Sequence, residues 1–178
     1  MSLSTERNLD MQGFDALRID EKRRLAAMLR WTPAACTSLV VIGLVFQSPF
    51  VLGATAAFAL LGSLLPNAHP LDLIYNAVGA RFFRTGPLPP NPAPRRFAAG
   101  IKSLPLGFAA LLMQAGYWQA ATAIAGTLAV VGLVAAVTYW DLGSWIYRRM
   151  TARLGSGHGR QLAPVVVTTR SPRGREGK

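Results

Sequence analysis

Asp141 and Ser144 stand three positions apart, and His69 precedes Asp141 by 72 positions. These three form the candidate polar site. A carboxylate at the edge of a long apolar run could handle a proton or a ligand, because ionisable groups at membrane depth are costly to keep without a use. The plainer reading is structural. Water or Arg148 would satisfy Asp141, and His69, flanked by Pro66 and Pro70, would cap or anchor the next helix with Asp72. A metal site needs three or four ligands. With two histidines and one cysteine in the chain, none is expected. Cys36 can form no internal disulfide and no CxxC pair, and it reads as a small buried residue. There is no Gly-rich phosphate loop, no Ser/His/Asp set and no carboxylate pair in a plausible pocket. No catalytic residue, metal or cofactor is therefore expected.

The elements that must position these residues are mostly apolar. Of the 178 residues 51% are hydrophobic and only 15% charged, against about 25% charged in soluble domains. No Asp, Glu, Lys or Arg occurs from Trp31 to Leu65 or from Ser103 to Trp140. A crossing needs about 20 apolar residues, so each window has room for two short ones. Residues 1–12 read as unstructured and Phe14–Arg30 as a helix with a basic end; together residues 1–30 form an N-terminal segment without a signal peptide. Residues 31–65 form a first hairpin, Trp31–Phe46 and Phe50–Leu65, split at Gln47-Ser48-Pro49. Its spans are short enough that a re-entrant loop is an alternative. Residues 66–96 comprise an amphipathic segment and a stiff proline-rich linker from Thr85 to Pro94. The segment, Leu71–Phe83, has Leu71, Ile74, Tyr75, Val78 and Phe82 on its apolar face. Residues 97–153 form a second hairpin, with spans to about Met113 and from about Gln119 to Trp140, and a helical extension. Pro105 is expected to kink the third span, and Lys102 to snorkel back to the interface. Residues 154–178 read as a disordered basic tail.

The formal net charge of +11 suggests nucleic acid until its placement is considered. Of the 19 basic residues, six precede the first span, five lie in the central segment including Lys102, and eight follow the fourth span. The two outer turns carry none. The positive-inside rule then places both termini and the central segment in the cytoplasm of an inner membrane. Arg30, Arg95, Arg96, Arg148 and Arg149 are assigned to topology and to anionic headgroups. No nucleic-acid partner is expected. Trp31, Tyr75, Trp118 and Tyr147 are assigned as interfacial anchors.

A shift of 72 residues superposes Pro33 on Pro105, Thr55 on Thr127, Ile74-Tyr75 on Ile146-Tyr147 and Ala80-Arg81 on Ala152-Arg153. The implied repeat is parallel, with an axis along the membrane normal. It also places Gly53 and Ala57 over Ala125 and Ala129. Small residues four apart let helices approach closely, so the second and fourth spans are expected to pack on each other. The fold class expected is all-α integral membrane, with four short spans in two hairpins plus interfacial helices.

The stretch Pro94-Arg95-Arg96-Phe97-Ala98-Ala99-Gly100 and the exit Trp140-Asp141-Leu142-Gly143-Ser144-Trp145-Ile146-Tyr147 resemble the entry and exit motifs of the DUF4395 family of membrane proteins. The likeness extends over most of residues 31–153. It implies a small multi-pass membrane protein and no assigned activity. The family's exit pattern, similar to Cys-x-Gly-Cys-x-x-Tyr, is met here at Gly143 and Tyr147, with Asp141 and Ser144 at the cysteine positions. Thiol chemistry carried by those cysteines could not be performed by these residues.

The function expected is non-enzymatic: an accessory or structural subunit of a bacterial membrane complex, with lipid and other membrane subunits as partners. The alternative is a small transporter or a redox or sulfur-metabolism accessory, with Asp141, Ser144, Thr127, Thr138 and His69 as the material for a polar path.

Overall fold

The computed structural model describes residues 2–66, 69–82 and 87–154. The tail expected at 154–178 falls, beyond Leu154, outside the described residues, as does Phe83 at the end of the amphipathic segment. The described chain is helical, with no strand. Its α-helices are α1 (Leu3–Leu9), α2 (Ile19–Leu29), α3 (Trp31–Val45), α4 (Pro49–Leu64), α5 (Pro70–Ile74), α6 (Ala80–Phe82), α7 (Ala93–Gln114), α8 (Trp118–Thr138) and α9 (Leu142–Leu154). Wider π turns follow α1 at Asp10–Phe14 and α5 at Tyr75–Gly79.

Three helical stretches are long and apolar enough to cross a membrane: Ile19–Val45, which joins α2 to α3, Ala93–Gln114 and Trp118–Thr138. The apolar helix α4 has 16 residues, about 24 Å at 1.5 Å per residue. It starts where expected, with Pro49 in its first turn and the Ser48 hydroxyl accepting from Val51 N.

These helices form a ring in which α3 packs on α4, α4 on α7, α7 on α8, and α8 on α3. Large apolar side chains point outward all round it: Val45, Phe46, Phe50, Leu64, Leu104, Leu111, Val130 and Leu133 are exposed. So much contiguous apolar surface is the exterior of a membrane protein. Inside, Val40, Leu52, Leu106, Ala109, Ala121 and Ala125 make the core.

The expected contact of the second and fourth spans is not the one found. Helices α4 and α8 lie across the ring without an extended interface. Gly53 instead meets α7, where a Cβ added to it would sit 3.8 Å from Ala110 Cβ. Farther along the same antiparallel pair, Gly107 faces Ala56 and Gly100 faces Ser63 Oγ. Ala57 is exposed, Ala125 is buried and Ala129 is half-buried. Close approach is made by the glycines of α4 and α7 against each other's small residues.

One end of the ring carries only the short turns between α3 and α4 and between α7 and α8. The other end is covered by a cap of α1, α2, α5, α6, α9 and the proline-rich segment. Here the structure departs from the sequence reading in four places. Residues 3–9 are helical rather than unstructured, because Ser2 caps Thr5 N and Leu9 is fully buried against the cap core. Helix α2 starts at Ile19, leaving Phe14 in the π turn beside Gly13, whose φ of 99° few other residues adopt. The proline segment is packed rather than a spacer: Leu88 is buried, its N–H donates to Asn76 Oδ1 at 2.7 Å, and Asn91 N donates to Pro66 O at 2.9 Å. Finally, α8 does not continue into α9. Tyr139 ends it in the left-handed conformation, φ 58°. Helix α7, by contrast, runs through Pro105.

Candidate functional site

Inside the cap end of the ring is a cavity of about 130 Å³. Helix α3 contributes Thr32 and Cys36, α7 contributes Arg95 and Lys102, and the connections contribute His69, Asn91 and Asp141. Deeper in, the lining turns apolar at Val40, Leu106 and Leu128. The spacing on α7 explains its share. Arg95, Ala98, Lys102, Leu106 and Ala109 follow a helical period of three and four along one face, and Ala98, Leu106 and Ala109 on that face are buried.

Lys102 Nζ donates to Asp141 Oδ1, joining α7 to the turn before α9. The other carboxylate oxygen of Asp141 accepts from Ser144 N at 3.0 Å and from Ser144 Oγ at 2.7 Å. Burial works against ionising Asp141, but Lys102 and the two Ser144 bonds outweigh it and hold the carboxyl below its ordinary value. Lys102 therefore does not snorkel to a headgroup, and Arg148 is not Asp141's partner. Arg148 instead donates to the carbonyls of Asp10 and Met11 and lies 3.4 Å from Asp15.

Asp72, beside the cavity, accepts from Thr32 Oγ1 and from Asn91 Nδ2, one on each oxygen. Its backbone N donates to His69 O at 2.9 Å, but its carboxylate does not bond the imidazole, and His69 makes no side-chain cap on α5. The imidazole is 4% exposed, and its Nδ1 has no hydrogen-bond partner. Its Cδ2 edge lies against α4, where a Cβ on Gly62 would fall 2.0 Å away. Burial pushes the imidazole below its ordinary value, against the pull of Asp72 and with Arg95 adding to the depression. Ser144, fully buried, stands behind Asp141 rather than in the lining. Thr127 and Thr138 are exposed and bond carbonyls of their own helix, Ala123 and Val134, so they form no part of a polar path.

The other sequence-assigned residues hold the cap onto the ring. Arg96 donates from Nε to Ser63 O at 3.0 Å and from Nη2 to Leu64 O at 2.9 Å, capping α4. The end of α8 is closed by Arg30 Nη2 on Val137 O (3.0 Å), Asn8 Nδ2 on Thr138 O (2.8 Å) and Gln12 Nε2 on Tyr139 O (2.6 Å). Arg149 lies over the exposed Trp145 ring. Of the four expected anchors Tyr75 is buried and Trp31 half-buried. Trp31 donates to Leu71 O at 3.2 Å and packs on Tyr75, which is buried in the cap. Tyr147 rests on Phe97, and only Trp118 is exposed. The apolar face expected on 71–83 divides: Leu71 and Tyr75 point in, and Ile74, Val78 and Phe82 point out.

The two motifs that frame this site, at 94–100 and 140–147, are those of the family resemblance, and a family model described as a domain of unknown function, DUF4395, matches residues 26–152. The chain belongs to the DUF4395 family. All the cavity residues but Gln12 fall inside the match. No curated protein and no solved structure matches the chain. At the two positions where the resemblance implies cysteines, this member has a hydrogen-bonded Asp141–Ser144 pair. Among the described residues no group of three His, Cys, Asp or Glu side chains could hold a metal ion.

Sequence reasoning found His69 and Asp141 but missed Arg95, Lys102, Cys36, Thr32 and Asn91 as their companions. The available signal was the seven-residue spacing of Arg95 and Lys102, two helical turns apart on the face that also carries Leu106.

Proposed function

We propose that this chain is a four-crossing protein of the bacterial cytoplasmic membrane, with both termini and the cap on the cytoplasmic side, and that its cavity admits a small polar solute from that side. The cavity carries the reading. A bundle with a purely structural role has no need to keep Arg95, Lys102, Asp141 and His69 around an open space inside apolar walls. Four crossings are supported by the exposed apolar side chains of α4, Phe50, Leu60, Leu61 and Leu64, which resemble those of its longer neighbours. The orientation is supported by the basic residues gathered at the cap and by the uncharged turns opposite. A parallel repeat is supported by the ring order and by His69 and Asp141, 72 positions apart, lining one cavity.

Cys36, the only cysteine, is a natural reporter of access. A membrane-impermeant thiol reagent should modify it in inside-out vesicles and not in right-side-out ones. Reaction from the opposite face alone, or none from either, would end this reading. Reporter fusions after Gln47 and Gly116 should report the external side and terminal fusions the cytoplasm.

A second reading, an accessory subunit of a membrane complex, is supported by the outer face of α8. Thr122, Ala123 and Thr127 are exposed there, and a Cβ on Gly126 would meet nothing within 4 Å. Such a surface suits a neighbouring transmembrane helix. A stoichiometric partner after purification in mild detergent would favour it, and a lone monomer would count against it.

A further inference from the structure

The charges facing the cavity do not balance. Its lining holds two cations, Arg95 and Lys102, and one carboxylate, Asp141, which Lys102 already engages. Among the described residues Arg95 has no carboxylate within ion-pair distance. Its contacts are one long hydrogen bond, Nη2 to Leu29 O at 3.4 Å, and a position over the Phe14 ring at 5.6 Å. Asp72 lies beside the cavity with both oxygens engaged by Thr32 and Asn91. A guanidinium presents five donors in a planar fork, so most of those on Arg95 are without an acceptor among the described residues. In walls as apolar as Ala98, Leu106 and Leu128, an unpaired cation is expensive.

His69 supplies a second, independent sign. It is 4% exposed, it lines the same cavity, and its Nδ1 has no partner. The packing of its Cδ2 edge on Gly62 turns Nδ1 away from α4. Buried polar atoms in native proteins are almost always satisfied, so an unpartnered ring nitrogen in the same lining as an under-used guanidinium is a second unmet polar group at this place. The volume of about 130 Å³ is well above the ~10–15 Å³ that one water requires. It has room for several water-sized groups, enough for a small oxyanion.

We propose that the cavity is a binding site for a small oxyanion, held by the guanidinium of Arg95, with His69 in the same lining. The proposal rests on the reading of the cavity as a chamber open to solutes and goes further in assigning their charge and chemistry. Arginine's fork matches the paired oxygens of phosphate, sulfate or carboxylate groups. Lys102, tied to Asp141 and two turns along the same face of α7, adds to the local potential. The same chemistry is offered by a free oxyanion and by the phosphate of a lipid headgroup.

The test uses the full chain in phospholipid-free detergent micelles and follows modification of Cys36 by methanethiosulfonates of three charge types. With rates normalised to the same reagents on a free thiol, the anionic sulfonatoethyl reagent should react about tenfold faster than the cationic trimethylammonioethyl one, as expected for a cleft of one sign. Inorganic phosphate or sulfate should slow all three reagents, including the uncharged methyl reagent, whereas potassium gluconate at equal ionic strength should slow them less. Protection by added phosphatidylglycerol but not by the inorganic ions assigns the oxyanion to a headgroup; protection by the ions assigns it to a free solute. Arg95→Gln should abolish both the preference and the protection, and Arg95→Lys should keep the preference while weakening the protection. Equal rates for the two charged reagents, or protection that survives Arg95→Gln, overturn the oxyanion site while leaving the open chamber standing. A Cys36 inert to the uncharged reagent until the protein is unfolded overturns both. If Arg95→Gln does not fold, the wild-type rate ratio and its response to phosphate still decide.

Discussion

Lys102 and Asp141, 39 positions apart, form the ion pair that ties the cap end of α7 to the turn between α8 and α9. The Asp141 side chain is 8% exposed and that of Lys102 28%. Removing one partner strands the other, at a cost of about 3 kcal/mol for a pair this deep. Asp141→Asn and Lys102→Met should each lower the melting temperature in detergent clearly. The double variant should lie closer to wild type than either, because no charge is left unpaired. A double variant as unstable as the sum of the singles would show that the two side chains act independently.

Close approach of α9 to α7 depends on Gly143. A Cβ there would lie 2.6 Å from Ala98 Cα, which is backbone and cannot rotate away. Gly143→Ala should therefore cost about 1–3 kcal/mol through overpacking. Gly126→Ala, with nothing within 4 Å of the added methyl, should be neutral or stabilise by up to about 1 kcal/mol. Melting curves of the two variants should move in different directions or by clearly different amounts.

Arg96 satisfies two carbonyls at the end of α4, a helix too short to hide its own terminus. Arg96→Gln should cost about 1.5–3 kcal/mol, the worth of a hydrogen bond to a charged group. Topology should be unchanged, since 18 basic residues remain of the 19. Reporter fusions at the two termini and melting of the purified variant would measure the two effects separately. An inverted or mixed topology with unchanged melting would mean that Arg96 acts on orientation rather than on α4.

The two depressed groups at the cavity predict how stability falls with acid. Both bind protons more weakly in the folded state, so both stabilise the protein above their ordinary values and lose that contribution as pH falls. For His69 the loss begins below 6.5 and is complete once pH has passed its lowered folded value. For Asp141 it begins below 3.8 and ends lower still. Melting temperature should decline in two stages between neutral pH and strong acid. His69→Gln should remove the first stage and keep the second. A His69→Gln protein with the same slope just below pH 6.5 would assign that stage to another group.

What the sequence determined by itself was local and cumulative. Charge-free windows, the breaks at Ser48-Pro49 and Pro66, and the gathering of basic residues outside the windows are properties of neighbouring positions, and apolar runs in water or lipid leave few alternatives to helices. Hence the all-helical fold and the starts of α3 and α4 were legible, and so was the family resemblance. Which faces of those helices meet was decided only by tertiary packing. Gly53 and Ala125 each sit in a small-residue context that suits several partners, and ring closure chose Ala110 of α7 for Gly53. The same holds at the site. Lys102 could have reached a headgroup or a carboxylate, and the break at Tyr139 placed Asp141 within its reach. His69, Arg95 and Cys36 come from three separate segments, so no spacing between them encodes that they share one cavity. Their meeting depends on the antiparallel ring and on the cap that closes one end of it.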